Sequence, residues 1–403
     1  MQSTTIAMAV KLLVATVAAG SFIGAASAAE GTTRVIVKFK DGQAASNKQS
    51  AVAAAKGNIK HEIFGTNAMA IEVPVSALQG LRNNPNVEYV EEDLIRYPFA
   101  LSTPSTGNPY LSGQSVPYGI KLVQADLLPD TNVGNRKVCI IDSGVDRAHE
   151  DIVGNSANMT GVNDSGTGTW YTDQNSHGTH VAGTIAAVNN SGMGVVGVNS
   201  NKRIKLHIVK VFGAGGWAYS STLASAANQC ASYGANVISM SLGGSGSTTT
   251  ESNTFATLAS QGILSIAAAG NAGNTSISYP AGYSGVMSVG ALDEFKQWAS
   301  FSQYNSKVEI SGPGVSVMST VPLAVKGVKY ANLSGTSMAT PHVAAVAALV
   351  WSYFPTCTGS QIRSSLGKSA QDLGTVGRDT KYGFGLVQAR AAYDRIRTYG
   401  CGA

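Results

Sequence analysis

The stretch Val138-Cys-Ile-Ile-Asp-Ser-Gly144 is a short apolar run that ends in an acidic residue and a turn-forming pair. A continuous apolar run of this length is typical of a strand buried on both faces of a parallel sheet. Further runs of this kind alternate with helical stretches, so the sequence predicts an α/β fold with a mainly parallel central sheet flanked by helices. The other strand candidates are 208–211, 237–240 and 263–267, and the helical stretches include 177–188, 221–233 and 255–260.

Reactive side chains lie where such a sheet exposes them. Asp142 ends the first run, His177 opens a helix, and Ser337 precedes a long apolar helix. Ligand sites in parallel sheets lie at the carboxyl ends of the strands. An imidazole that takes the serine proton, held by a buried carboxylate, is what nucleophilic acyl transfer needs. Asn271 follows another strand candidate and is placed to donate to a developing oxyanion.

Three sequence blocks carry a family resemblance. Asp142-Ser-Gly144, His177-Gly-Thr-His180 and Gly335-Thr-Ser-Met-Ala-Thr-Pro-His342 resemble the catalytic blocks of the subtilisin-like (subtilase) family, in its order Asp, His, Ser. The resemblance covers almost everything after the N-terminal leader. It implies a serine endopeptidase in which the three residues form a catalytic triad and Asn271 contributes to the oxyanion hole.

The resemblance also implies a cleft that clamps an extended peptide between two edges by β-augmentation. One edge is 241–244 and the other is 215–218. Tyr219 resembles the aromatic lid of the pocket for the fourth residue upstream of the cut, and Ala267–Ala269 forms a further wall. The residues expected to contact substrate are Gly215, Gly216, Trp217, Ala218, Tyr219, Ser241, Leu242, Gly243, Ala268, Gly270 and Ser278.

Departures from the family pattern bear on specificity. Ala272 offers no carboxylate at the rim of the primary pocket to attract lysine or arginine. Ser278 stands where the family often has glycine at the pocket floor, and Ala345 replaces the glycine that usually ends the serine block. The prediction is a preference for large apolar or aromatic residues before the cut.

The N-terminal residues predict export. Lys11 precedes an apolar stretch that is too short for a membrane span, and Ala26-Ser-Ala28 is typical of a signal-peptidase site. We therefore expect residues 1–28 to be a cleaved signal peptide of a secreted protein without a membrane anchor. Export makes the four cysteines candidates for disulfides, which three pairings would satisfy. Their positions favour Cys139–Cys230 and Cys357–Cys401.

Residues 33–99 have the pattern of a small independent unit with the order β-α-β-β-α-β, as in a ferredoxin-like fold. The unit resembles the family's inhibitory propeptide, with Tyr89-Val-Glu-Glu-Asp93 as its closing signature. The resemblance implies a zymogen that cuts itself near Phe99–Ala100, and an unrelated binding module is the alternative. The predicted divisions are 1–28 signal peptide, 29–99 inhibitory propeptide, 100–118 linker and mature N-terminal segment, and 119–403 catalytic domain.

A structural calcium ion is the cofactor that the resemblance implies. Its ligands would be the side chains of Gln114, Asp151 and Asn190 and the carbonyl oxygens of Val188 and Val195. Oxygen ligands suit this hard cation. The loop that follows Asn189 is one residue longer than the family's shortest version, so an ordinary turn is the alternative.

Composition limits the partners. The chain of 403 residues is 44% hydrophobic and only 13% charged, with a net charge of +5. Without a basic run, nucleic-acid binding has no support. The expected partners are protein or peptide substrates and the chain's own propeptide as an intramolecular inhibitor, and the protein is expected to be a monomer.

Two rival interpretations exist at the level of sequence. The first is a metallohydrolase built on His177 and His180, which fails on spacing, because these histidines, three residues apart, lack the glutamate and the third ligand of a zinc helix. A binding protein without catalytic activity is the second, because a fold alone does not establish chemistry. Activity that resists chelators at short times would distinguish a serine protease from a metallohydrolase. Covalent labelling by a serine-directed fluorophosphonate would distinguish it from a binding protein.

Overall fold

The computed structural model describes residues 31–99, 113–190 and 192–403. The predicted signal peptide lies outside the described residues. The N-terminal unit contains strands β1 (Thr32–Phe39), β2 (Asn58–Glu62), β3 (Ala68–Pro74) and β4 (Val87–Glu92) and helices α1 (Ala45–Ala54) and α2 (Leu78–Arg82). A further strand, β5 (Ile95–Pro98), leaves this unit as a tail.

The four strands of the N-terminal unit form one sheet in the order β2-β3-β1-β4, and the strand pairs are antiparallel. The predicted β-α-β-β-α-β order is therefore present. Buried apolar side chains of α1, α2 and one face of the sheet form a separate core, which includes Val37, Phe39, Val52, Ile71 and Leu81.

Residues 113–190 and 192–403 form the larger unit. Its strands are β6 (Lys137–Asp142), β7 (Met159–Asn163), β8 (Lys205–Lys210), β9 (Ala218–Tyr219), β10 (Val237–Met240), β11 (Leu242–Gly243), β12 (Leu264–Ala268), β13 (Val286–Leu292), β14 (Val308–Pro313), β15 (Val317–Thr320) and β16 (Tyr330–Leu333). Its helices are α3 (Tyr118–Leu122), α4 (Glu150–Val153), α5 (His177–Ala186), α6 (Ser220–Ser232), α7 (Thr249–Ser260), α8 (Leu323–Lys326), α9 (Thr336–Tyr353), α10 (Gly359–Lys368) and α11 (Ala389–Tyr399).

The central sheet has seven strands in the order β14-β13-β12-β10-β6-β8-β7, and its neighbouring strands are parallel. The predicted fold class is confirmed. The strands are buried because helices cover both faces: α5 and α9 pack on one side, and α6 and α7 pack on the other. Helix α9 is apolar all round and almost wholly buried, as expected for a helix in the centre of a large core.

Helix α7 differs most from its prediction, because it begins at Thr249 and not near Phe255. Its first turns are polar, Thr-Thr-Glu-Ser-Asn, so they lack the apolar periodicity that marks a helix. Thr248 caps the helix, and its side chain accepts from the backbone amide of Glu251. The polar turns contact the N-terminal unit through Glu91 and its tail through Arg96.

Both favoured cysteine pairs are joined in the structure. Cys139–Cys230 links β6 to α6, three residues before Asp142, and Cys357–Cys401 ties the C-terminus to the segment before α10. Within the part of the chain that the structure describes, no helix is both long enough and apolar enough to cross a membrane.

Candidate active site

The carboxyl end of the central sheet brings the aspartate and the histidine together. Asp142 ends β6 and His177 is the first residue of α5, and both are buried. His177 Nδ1 lies 2.8 Å from Asp142 Oδ1 and 2.9 Å from Oδ2. A buried carboxylate in this position orients the imidazole and stabilises its protonated form.

Asp173 holds the start of α5 and was not anticipated from the sequence. Its carboxylate accepts from the hydroxyl of Ser143 at 2.9 Å and from both the amide and the hydroxyl of Thr179 at 2.9 and 2.6 Å. The Ser143 hydroxyl in turn accepts from the amide of Gly178. Asp173 therefore fixes the strand that carries Asp142 to the helix that carries His177.

Ser337 lies in the first turn of α9, after Gly335, whose φ of +152° is rarely adopted by other residues. Its hydroxyl donates to the carbonyl of Ser241 at 2.8 Å, and the Ser241 hydroxyl donates to the Ser337 carbonyl at 2.8 Å. The buried Nε2 of His177 has no hydrogen-bond partner among the described residues. Ser337 and His177 therefore lie on two helices that pack together, α9 and α5, without a hydrogen bond between their side chains.

The carbonyl oxygen of Phe99 is the centre of the site. It accepts from the Asn271 side-chain amide at 2.7 Å and from the Ser337 backbone amide at 3.2 Å. The Asn271 oxygen accepts from the amide and hydroxyl of Thr336 at 2.9 and 2.8 Å, which orients the donor. Two donors converging on one carbonyl oxygen form the arrangement that stabilises an oxyanion.

The tail strand β5 lies between β11 and β9 and pairs antiparallel with both. Leu242 and Gly243 pair with Pro98 and Tyr97, and Ala218 and Tyr219 pair with Arg96 and Ile95. The amide of Phe99 donates to the Ser241 carbonyl at 3.1 Å. Within the described part of the tail, Ala218 is the residue of the expected second edge that pairs with it, and Gly215, Gly216 and Trp217 precede strand β9.

The Phe99 ring packs on Gly243, where an added Cβ would lie 2.6 Å from the ring carbon Cε2. Ala268 is buried at the end of β12, two residues before Gly270. A Cβ at Gly270 would lie 1.8 Å from Oε1 of Gln303. The Ser278 hydroxyl donates to the same Oε1 at 3.2 Å. Gln303, which the sequence did not single out, therefore contacts both Gly270 and Ser278, two of the residues expected to contact substrate.

Arg96 and Glu251 form an ion pair that the sequence did not predict. Arg96 Nε and Nη2 donate to the two carboxylate oxygens of Glu251 at 3.0 and 2.7 Å, and neither side chain is exposed to solvent. Tyr219, which is expected to be the lid of the pocket for the fourth residue upstream of the cut, packs against Trp217 and the guanidinium of Arg34.

Acidic residues of the N-terminal unit contact two helix starts in the larger unit. Asp93 accepts from the amide of Ser221 at 2.9 Å, at the start of α6. Glu91 accepts from the amides of Thr249 and Thr250 at 2.6 and 2.9 Å, at the start of α7. Carboxylates satisfy the free amides and favour the positive dipole end of each helix.

His180, three residues beyond His177, is buried and its ring contacts backbone carbonyl groups. His180 Nε2 lies within hydrogen-bond distance of the carbonyl oxygens of Val317 and Ala331, at 2.9 and 3.1 Å. Complete burial lowers the pKa of His180 to about 3, so the ring is neutral at ordinary pH.

The candidate calcium residues lie together. The Gln114 Nε2 lies 3.0 Å from the Val188 carbonyl oxygen, 3.3 Å from that of Val195 and 3.4 Å from Asn190 Oδ1. The Asp151 carboxylate accepts from Asn190 Nδ2 at 2.8 Å and from the Val195 amide at 2.7 Å. Among the described residues, no group of three or more His, Cys, Asp or Glu side chains could hold a metal ion. The candidate calcium residues contain one carboxylate, and their other oxygen atoms belong to side-chain amides and backbone carbonyls.

Comparison with known proteins agrees with this geometry. The model of the Subtilase family matches residues 134–385, which are more than half of the chain. The chain belongs to the subtilase family. Its N-terminal unit is a prodomain, since the model of the fervidolysin N-terminal prodomain matches residues 30–93. The protein is accordingly a subtilisin-like serine protease with a prodomain.

Similar subtilases cover most of the chain. "Subtilisin amylosacchariticus" of Bacillus subtilis subsp. amylosacchariticus is 38% identical over 89% of this chain and 90% of its own. The "alkaline protease" of Alkalihalobacillus alcalophilus is 40% identical over 82% and 80%. Among solved structures, fervidolysin from Fervidobacterium pennivorans, described as a keratinolytic enzyme related to subtilisin, is similar with a TM-score of 0.74 and 28% identity over 91% of this chain and 61% of its own. A psychrophilic subtilisin-like protease from Pseudoalteromonas sp. AS-11 has a TM-score of 0.66 and 36% identity over 72% and 100%.

Proposed function

We propose that this subtilase is a secreted serine endopeptidase that uses Asp142, His177 and Ser337 as its catalytic triad. The observation that carries the proposal is the Phe99 carbonyl oxygen, which accepts from Asn271 and from the Ser337 amide at the same time. A substrate carbonyl held there gains negative charge when it is attacked, and the two donors stabilise that charge.

The chemistry follows from the positions of the side chains. Rotation of the Ser337 side chain away from the Ser241 carbonyl turns its hydroxyl towards the unpartnered Nε2 of His177. The imidazole takes the proton as the oxygen attacks the carbonyl carbon, and Asp142 stabilises the resulting imidazolium. The proton then passes to the leaving amine, and water hydrolyses the acyl-enzyme by the same route in reverse.

The first substrate is the protease's own tail, cut between Phe99 and Ala100. Support comes from the antiparallel pairing of β5 in the cleft and from the placement of the Phe99 carbonyl. The prodomain then inhibits the enzyme until it leaves. The Phe99 ring against Gly243 supports a preference for large apolar or aromatic residues before the cut.

Calcium fits the residues around Gln114 as a structural ion. Three oxygen atoms, from Val188, Val195 and Asn190, face one amide group, and the Asp151 carboxylate lies beside them. Such a set suits a hard cation and would tie the segment at Gln114 to the loop that follows α5. Addition of a chelator should lower the unfolding temperature, and calcium should restore it.

The whole chain is divided into a signal peptide at 1–28, a prodomain at 29–99, a linker and mature N-terminal segment at 100–118 and a catalytic domain at 119–403. The protein acts as a monomer on protein or peptide substrates. Export is supported by two disulfides, which persist in oxidising compartments.

Covalent labelling tests the proposal. A fluorophosphonate should label the processed protein at Ser337 within minutes, also in the presence of a chelator. Ser337→Ala should abolish labelling. Failure of the processed wild type to react would leave a binding protein as the better interpretation, and loss of activity on brief chelation would favour a metallohydrolase.

A further inference from the structure

The side chain of Arg96 occupies the pocket for the fourth residue upstream of the scissile bond. Phe99 is the residue before the proposed cut, and Pro98, Tyr97 and Arg96 follow towards the N-terminus. Arg96 is opposite Ala218 in the ladder between β5 and β9, so its position along the cleft is fixed by backbone pairing.

This pocket is built for a guanidinium group. Glu251 accepts two hydrogen bonds from Arg96, through Nε at 3.0 Å and Nη2 at 2.7 Å. The carbonyl oxygens of Ser245 and Gly246 accept from Nη1 and Nη2 at 3.2 and 3.1 Å. The hydroxyl of Tyr283 donates to Glu251 Oε2 at 2.8 Å. The forked geometry matches arginine and does not match the single ammonium of lysine.

The carboxylate is not needed to cap its own helix. Thr248 and Glu251 have the spacing of a capping box, in which the glutamate would accept from the Thr248 amide. That amide instead donates to the Tyr283 hydroxyl at 2.8 Å. The Glu251 side chain is therefore directed into the pocket, and Tyr283 takes its place at the cap.

Glu251 lies in the catalytic domain and stays in the cleft after the prodomain has left. We propose that Glu251 selects arginine at the fourth residue upstream of the cut in other substrates, an inference that rests on the proposed protease function. A peptide with arginine there restores the ion pair. A peptide with an apolar residue there leaves a buried carboxylate unpaired, which penalises its binding.

Peptide substrates test this preference in the processed wild-type enzyme. The acetylated tetrapeptides Arg-Tyr-Pro-Phe, citrulline-Tyr-Pro-Phe and Leu-Tyr-Pro-Phe are compared, each on the same fluorogenic amide. Citrulline keeps the shape of arginine without its charge. We expect kcat/KM for the arginine peptide to exceed those of the other two by about 10–100-fold. Equal values for the three peptides would overturn the inference.

Substitution of the pocket residue tests its role. Glu251→Gln should bring the ratio of kcat/KM for the arginine and leucine peptides close to one, and Glu251→Leu should invert it. An unchanged ratio in either variant would assign the preference elsewhere. Because Arg96 is left unpaired in both precursors, the Arg96→Leu/Glu251→Leu double variant is prepared as well. In the double variant, an apolar tail residue faces an apolar pocket residue in the precursor. The processed double variant should also prefer the leucine peptide.

Active-site titration with the fluorophosphonate separates two kinds of failure. A preparation that is not labelled contradicts the proposed protease function itself. A preparation that is labelled, and that cuts all three peptides equally well, leaves the protease function intact and contradicts only the role of Glu251.

Discussion

The prodomain and the catalytic domain are stabilised in different ways. The catalytic domain surrounds a seven-stranded sheet with helices on both faces, contains an almost wholly buried central helix and carries both disulfides. The prodomain has one four-stranded sheet, two short helices and a small core. A unit of about 65 residues has marginal stability by itself. The difference suggests that the small unit depends on its contacts with the large one.

Those contacts combine a small apolar cluster, in which Ile36, Ile63 and Ala68 pack with Ala224 of α6, with several polar contacts. The carboxylates of Glu91 and Asp93 meet the free amides at two helix starts, and Arg96 forms its ion pair inside the cleft. The tail adds backbone hydrogen bonds on both sides. Such contacts specify one docking position and still allow the prodomain to separate once the covalent link is cut.

The largest effect is expected from Ser337→Ala, which removes the proposed nucleophile. The variant, produced alone, should accumulate as a precursor that is uncut at Phe99–Ala100, as measured by intact mass and N-terminal sequencing. Wild-type enzyme added in trans should cut the same precursor, which serves as the control. Processing of the isolated variant would mean that another protease matures the chain.

Removal of the oxyanion donor should have the next largest effect. Asn271→Ala should lower kcat by about 10²–10³-fold, the cost measured for the equivalent donor in subtilisin, with a small change in KM. The reason is that the amide stabilises charge that exists only in the transition state. Steady-state kinetics on a peptide amide measure this, with Asn274→Ala as the matched control. A rise in KM alone would contradict the assignment.

Weakening a polar contact of the prodomain should have a smaller effect, which concerns the stability of the prodomain and not the rate of catalysis. In the Ser337→Ala precursor, Asp93→Asn should lower the free energy of unfolding of the prodomain by about 0.5–2 kcal/mol, because it weakens the cap of α6. Urea denaturation followed by hydrogen exchange of β1 and β3 measures this. Asp41→Asn, on the prodomain turn away from the helix starts, is the control. Equal effects of both variants would show that docking does not depend on the cap.

Acid should also destabilise the catalytic domain, because the pKa of the buried His207 is lowered in the folded state. Burial, aided by the nearby charge of Lys137, lowers the pKa of His207 to about 4, against 6.5 for an ordinary histidine. The unfolded chain then binds more protons below pH 6.5, so stability is lost as the pH falls from 6.5 towards 4. His207→Gln in the Ser337→Ala background should remove about 2 kcal/mol of the stability difference between pH 8 and pH 5. A pH profile of unfolding identical to that of the parent would contradict this.

The sequence predicts the fold well and indicates the proposed triad, because both signals are local. Buried strands such as Val138–Ile141 are continuous apolar runs, and the residues around His177 and Ser337 form dense blocks in which neighbouring positions carry the signal. The structure then places Asp142 against His177 and Asn271 against the Phe99 carbonyl. The catalytic roles of these residues stay predictions until they are tested.

The residues that sequence analysis missed depend on distant contacts. Glu251 three residues after Thr248 has the pattern of a helix cap, and nothing near it indicates a partner 155 residues away. Asp173 has the pattern of a turn residue before α5. Gln303 belongs to a separate loop that reaches the pocket only in the folded chain. A single sequence does not reveal such pairs, because each member has an ordinary local explanation.

The Arg96–Glu251 pair also has a consequence for how such an enzyme can change over generations. One residue is discarded with the prodomain, and the other stays in the mature enzyme. A single substitution at either position leaves a buried charge unpaired in the precursor, so a new substrate preference is penalised at maturation before it can be used. Two substitutions, together, avoid the penalty. The sequence of the discarded tail thus matches the proposed substrate preference of the mature enzyme. Substitutions at the two positions are expected to be retained only when they occur together.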